Sequence, residues 1–194
     1  MTDRPPQSQT DAVEPARPLI PPPQAPPFRA VFEAEFSYVL NSLYRLGVRR
    51  SDLEDLAHEV FVTVHQILPD YDPTRPLRPW LFGIAFRIAS DYRRRARHTR
   101  EVPEAWGHEP ADRARLADEQ LVSEQARRLV IEALEALDLD RRAVVVLHDI
   151  DGQSIPEVAH ALNIPLNTAY SRLRLAREQL RAAIQRIRRR RGDV

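Results

Sequence analysis

The chain has 194 residues, with 29 basic side chains against 28 acidic ones and no cysteine. That length sets one or two domains, and the missing thiols exclude disulfides and thiolate metal sites. Hydrophobic residues make up 43 % and charged ones 29 %, enough to bury cores, but no apolar run approaches a bilayer span and the N-terminus lacks the apolar stretch of an export signal. The cytoplasm is the expected compartment, without membrane insertion. Every basic residue is arginine, whose planar fork suits phosphate, although a GC-rich genome produces the same bias.

In chain order, residues 1–27 hold nine of the 17 prolines, including Pro21-Pro-Pro23. This leader cannot form a helix or a central strand, and a disordered or polyproline-like tail is expected. From Phe28 the periodicity turns helical. Phe32, Phe36, Val39, Leu40, Leu43 and Tyr44 make one apolar stripe closed by Gly47. Ser51 with Glu54 reads as a capping box opening a second helix, with Leu53, Leu56, Ala57, Val60, Phe61, Val64 and Ile67 inward. Asp52, Asp55, His58 and Glu59 lie opposite that stripe. Acidic residues at a helix start favour its dipole, and they also suit docking on a basic protein surface.

A proline-rich loop from Pro69 to Pro79 precedes a third helix expected from Trp80 to about Arg97. Arg87, Arg93, Arg94, Arg95, Arg97 and Arg100 are opposed in that stretch by Asp91 alone, with Trp80, Phe82, Phe86 and Tyr92 interleaved. Arginines beside aromatic rings suit single-stranded nucleic acid, while core packing accounts for most of the rings. Residues 99–117 are polar and weakly patterned, with Pro103, Gly107 and Pro110, and read as a linker. The remainder, 118–191, is helical again. The fold class is therefore all-α: helical domains over 28–98 and 118–191 on a flexible tether, which suits simultaneous binding at two separated sites.

The densest information lies in residues 153–177. Ser154 and Glu157 form a capping box, Pro156 sits in a first turn, and Ile155, Val158, Ala159 and Leu162 give a buried face. Asn163-Ile-Pro165 breaks the pattern. Leu166, Ala169, Leu173, Ala176 and Leu180 form the next stripe, interleaved with Thr168, Tyr170, Ser171, Arg172, Arg174 and Arg177. This is the pattern of a helix-turn-helix that places its second helix in a DNA major groove, arginine serving guanine edges or phosphates. An amphipathic hairpin with a solvated arginine face would read similarly. The tail, Arg181, Arg186 and Arg188 to Arg191, extends phosphate contact or simply solvates a helix end.

No histidine or carboxylate spacing suits a metal, and no phosphate loop or nucleophile elbow is present. Neither enzymatic activity nor a cofactor is expected. A helix-turn-helix regulator that does not dock on polymerase, and a helical interaction protein that does not read DNA, are the other classes considered.

The order of motifs resembles the extracytoplasmic-function (ECF) sigma factors of bacterial RNA polymerase. Asp52-Leu-Glu-Asp-Leu-Ala-His-Glu-Val-Phe61 is similar to the family's polymerase-docking helix. Trp80-Leu-Phe-Gly-Ile-Ala85 with Asp91-Tyr-Arg-Arg-Arg95 resembles its promoter-melting helix. Leu137-Asp-Leu-Asp-Arg-Arg-Ala143, Gly152-Gln-Ser154, Glu157-Val-Ala159 and Asn167-Thr-Ala-Tyr-Ser-Arg-Leu173 resemble its promoter-reading domain. The likeness spans about Phe28 to Ile184 and leaves out the leader.

The resemblance implies that Asp52, Asp55, His58 and Glu59 meet core RNA polymerase at the clamp helices of its largest subunit, with the flap as a second contact. It implies that Trp80, Arg87, Arg93, Arg94 and Arg95 capture the non-template strand of the minus-ten element with a base flipped out. Thr168, Tyr170, Ser171, Arg172, Arg174 and Arg177 would read the minus-thirty-five element in promoter DNA. The linker would thread toward the active-site and RNA-exit channels, and an anti-sigma factor is the expected protein partner. Three positions depart from the family pattern: His58 stands where glutamine is usual, Arg87 where asparagine lines a base pocket, and Leu175 where a further arginine faces DNA.

Overall fold

The computed structural model of the chain describes residues 25–98 and 118–192. Most of the leader, the linker 99–117 and Arg100 lie outside the described residues. Every regular element among the described residues is helical, so the expected all-α class holds.

Helix α1 (Phe28–Leu46) ends where periodicity placed its stop. Gly47 takes a left-handed φ of 91°, and the amides of Gly47 and Val48 reach back to the Tyr44 and Leu43 carbonyls, the hydrogen-bond pair of a Schellman cap. Helix α2 (Leu53–Ile67) follows a 3-10 turn at Arg50–Asp52. The capping box expected from Ser51 and Glu54 does not form. That turn carries the chain into the helix, and the Ser51 hydroxyl donates to Asp52 instead, at 2.7 Å. Helix α3 (Leu77–His98) begins three residues before the expected Trp80, because a proline at position 79 is tolerated within a first turn. These three helices pack around Val39, Leu43, Val60, Val64, Leu81, Phe82 and Ala85, all essentially inaccessible. Phe28, Phe32 and Phe36 ring Phe61, with centroids 4.9–6.4 Å from it.

The second unit begins with α4 (Asp118–Leu134) and α5 (Leu139–Val145). Asp138 caps α5 by accepting from the Arg141 amide at 2.9 Å, and α5 runs into a π-helical turn at Val146–Ile150. Helices α6 (Ile155–Ala161) and α7 (Leu166–Arg191) complete it. Asn163 supplies a left-handed residue, φ 51°, in the turn between them, a conformation asparagine adopts more readily than most side chains.

The helices of 28–98 and of 118–191 pack on each other, which their sequences do not announce. One continuous set of buried apolar residues runs from Val31 through Ala89 to Val158 and Ala176. Where α3 meets α6, an added Cβ on Gly83 would lie 2.4 Å from the Ala161 carbonyl oxygen. Only glycine allows that approach. Asp151 of the second unit also accepts from Tyr38 at 2.8 Å and pairs with Arg45 at 3.0 Å, both on α1.

Candidate nucleic-acid and docking interfaces

Helix α2 divides cleanly by face. Leu56, Ala57, Val60, Phe61 and Val64 are buried, while Asp55, His58 and Glu59 are exposed on the other side. Val62 joins them, 59 % exposed one turn beyond His58. The His58 ring packs 5.8 Å from Phe36, and Glu59 lies 3.9 Å from Arg95 on α3. Asp52 does not share this face. Its carboxylate accepts from the Tyr92 hydroxyl at 2.5 Å and from Ser51, and the Tyr92 bond holds it below the usual aspartate range. Burial, reinforced by that bond, pushes the Tyr92 phenol up to about 12. Asp52 is thus a brace from the start of α2 to α3.

The aromatic and basic residues of α3 separate in the same way. Phe82 is core, and Trp80 is half-buried with its ring 4.9 Å from Tyr71. Arg87 is exposed. The run Arg93 to Arg95 fans in three directions, as successive helical residues must. Arg94 pairs with Asp91 at 3.0 Å, and Arg95 faces Glu59. Arg93 turns toward the Leu46 carbonyl and lines a cleft between the two units with Ser90, Asp138, Leu139 and Asp140.

The helix-turn-helix is built as its sequence indicated. The Ser154 amide donates to the Glu157 carboxylate at 2.9 Å, and the Glu157 amide donates back to Ser154 Oγ at 3.4 Å. The Ser154 hydroxyl also donates to Glu157 at 2.7 Å and holds its carboxyl below the ordinary glutamate range. Ile155, Val158, Ala159, Ala169, Leu173 and Ala176 bury the seam. On α7, Tyr170, Ser171, Arg174 and Arg177 are exposed. Tyr170, Arg174 and Arg177 lie at i, i+4 and i+7, one helical face. Thr168 is half-buried, and its carbonyl accepts from Ser171 at 3.0 Å.

Arg172 leaves that face. About 100° of rotation per residue sends it to the flank of α7, where it pairs with Asp140 on α5 at 2.7 Å. Arg174 pairs with Glu178 at 2.9 Å. Arg177 is held by Asp149 at the π-helical turn, and that hydrogen bond raises its already high proton affinity. Sequence reasoning passed over Asp149 and Asp151, and it quoted Asp140 and Arg142 within a motif without giving either a partner. Aspartates near residue 150 were visible, but their partners lie 28 and 113 residues away, beyond any local pattern. Among the described residues no group of three His, Cys, Asp or Glu could hold a metal, and no helix is long and apolar enough to cross a membrane.

Residues 31–99 match the sigma-70 region 2 family and residues 127–180 match sigma-70, region 4. The chain is 32 % identical over 154 residues to the RNA polymerase sigma factor NccH of Alcaligenes xylosoxydans xylosoxydans, covering 72 % of this chain and 76 % of that protein. It is 35 % identical over 141 residues to the ECF RNA polymerase sigma factor SigE of Mycolicibacterium smegmatis, covering 71 % of this chain and 54 % of that longer protein. Among solved structures, CnrH in complex with the cytosolic domain of CnrY is similar at a TM-score of 0.57 and 28 % identity, covering 81 % of this chain and 87 % of that one. An acidic helix, an arginine-bearing helix and a helix-turn-helix fall within the two matched regions in the family's order, and a relative over 30 % identical is matched across three-quarters of its length: the chain belongs to the ECF sigma factors, which direct RNA polymerase to promoters at transcription initiation.

Proposed function

We propose that this sigma factor divides its work between two opposed faces. Asp55, His58 and Glu59 on α2 engage the clamp helices of core RNA polymerase, and Tyr170, Ser171, Arg174 and Arg177 on α7 read the minus-thirty-five element. The observation that carries this reading is the separation of charge: an exposed acidic face in the unit 28–98 and an exposed basic face in the unit 118–191. Like charge would repel DNA from the first, and complementary charge draws it to the second.

Within the first unit, Arg87, Arg94 and Arg95 are the candidates for the non-template strand of the minus-ten element. Trp80 and Arg93 serve it less directly, Trp80 through its tilted contact with Tyr71 and Arg93 from the cleft between the units. Flipping a base costs a few kcal/mol, which such contacts must offset. Thr168 and Arg172 support α7 from its flank, and Asp52 braces α2. The linker 99–117 spans the units, and the protein works in the cytoplasm without catalytic groups of its own. A protein inhibitor is the further partner, in keeping with the CnrH relative, solved in complex with the cytosolic domain of CnrY.

The test is transcription by purified core enzyme on a genomic fragment library. Addition of this chain should give a short set of discrete start sites, and the chain should co-elute with core enzyme. Absence of both would overturn the reading.

A further inference from the structure

We propose that the distal half of α7 makes a second, sequence-independent DNA contact, in which Arg181 and Arg188 grip backbone phosphates flanking the base pairs met by its first turns. This inference rests on the reading of DNA by α7 and extends it to two residues which that reading does not use.

Direction selects these two from the arginine-rich end. At about 100° per residue, Arg174, Arg177, Arg181 and Arg188 fall within roughly 60° of one another, in line with Tyr170. All five are exposed. Arg186 and Arg190 project from the other side of the rod, and Arg191 is taken by Glu132 at 2.6 Å.

The stripe is longer than a groove is wide. From Arg177 to Arg188 the axis advances about 16 Å at 1.5 Å per residue, whereas the major groove is about 12 Å across. A straight rod whose first turns sit on base edges therefore carries its later turns over the sugar–phosphate wall. Contacts there fix position and carry no base information.

Charge on this half of the helix is uncompensated. Helix α7 holds nine arginines and a single carboxylate, Glu178. Arg172, Arg174, Arg177 and Arg191 each have an acidic partner. The guanidinium groups of Arg181 and Arg188 have none among the described residues. The helix dipole favours arginine only within the last turn, and Arg181 stands well before the end of α7 at Arg191. Packing then holds the two charges in place. Ala183 and Ile187 are buried against Ala133 of α4, with Leu180 and Ile184 beside them, so Arg181 and Arg188 project from a braced rod.

Holoenzyme reconstituted from core polymerase and the full chain tests this on two promoters that differ only in the minus-thirty-five sequence. Arg181→Gln with Arg188→Gln should flatten the plot of log affinity against log salt by about two units. Binding to both promoters should weaken by the same factor, on the order of tenfold at about 0.1 M salt. Arg181→Lys with Arg188→Lys keeps the charge and should keep most of the slope. Ethylation of phosphates beside the element should impair the wild type and leave the glutamine variant indifferent. An unchanged slope, or a loss that differs between the two promoters, would overturn the contact. Loss of co-elution with core polymerase in the absence of DNA would also overturn it, by making the stripe a protein-docking face. Arg177→Ala on the same promoters separates the two claims. If it too leaves binding unchanged, the reading of DNA by α7 fails; if it weakens binding while the glutamine variant does not, only the distal contact fails.

Discussion

Arg177 grips Asp149 with two nitrogens of its guanidinium, Nε to Oδ2 at 3.0 Å and Nη2 to Oδ1 at 2.5 Å, although 28 residues separate them. The π-helical turn at Val146–Ile150 is what brings Asp149 over the side of α7. A bidentate partner fixes the plane of an arginine that would otherwise sample many rotamers. Arg177→Ala should weaken promoter binding and reduce the slope of log affinity against log salt by about one unit, while polymerase binding stays intact. Asp149→Asn should lower promoter affinity less, because Arg177 keeps its charge and loses only its orientation. Salt titrations of promoter binding by the reconstituted holoenzyme separate the two outcomes.

Reversing charge at Asp55 and Glu59 together should abolish co-elution with core polymerase at low ionic strength. Both side chains are exposed on α2 and outside the core, so helix content by circular dichroism should be unchanged. Retained co-elution would exclude this face as the docking surface.

The Asp52–Tyr92 bond makes an acid-side prediction. The native carboxyl of Asp52 lies below its ordinary value of 3.8, chiefly through the Tyr92 hydroxyl. A depressed carboxylate contributes stability that is fully present above its unfolded value and is lost as pH falls through the lower native value. Tyr92→Phe should cost about 1 kcal/mol near neutrality, the low end for a charged hydrogen bond because Asp52 keeps part of its surface in water. Once the pH has fallen below that lowered native value, the variant and wild type should converge. Urea midpoints measured from pH 7 down to the acid limit test this.

Ser154→Ala removes the N-cap of α6 and should destabilise the second unit by about 1 kcal/mol. Ser154→Asp should restore only part of that loss, because its carboxylate accepts from the Glu157 amide but cannot donate to the Glu157 carboxylate as the hydroxyl does. Thermal unfolding of the full chain reads both.

Legibility in the sequence followed the range of each interaction. Helix ends set by neighbours, such as Gly47 after α1 and the Ser154–Glu157 box before α6, were plain because their partners lie within a few residues. The same logic failed at Ser51, where a 3-10 turn took the place of the cap. The candidate surfaces were found as residue types but not sorted by direction. Arg172 and Arg174 read alike in sequence, yet Asp140 draws one to the flank of α7 while the other stays exposed. Asp52 read as part of an acidic face until Tyr92, 40 residues on, proved to hold it. The packing of the two units left no periodic trace, because Gly83 and Asp151 make their contacts with residues far away in the sequence.

Helix α7 runs 26 residues, about 39 Å at 1.5 Å per residue. One end presents Tyr170 and Arg174, and the far end packs Ala183 and Ile187 against Ala133 while Arg191 pairs with Glu132 at 2.6 Å. It is one uninterrupted rod, so a tilt of roughly 10° at the groove becomes a swing of about 7 Å at the distal end. On the proposed reading of DNA by α7, the base sequence beneath the first turn is thereby mechanically geared to α4.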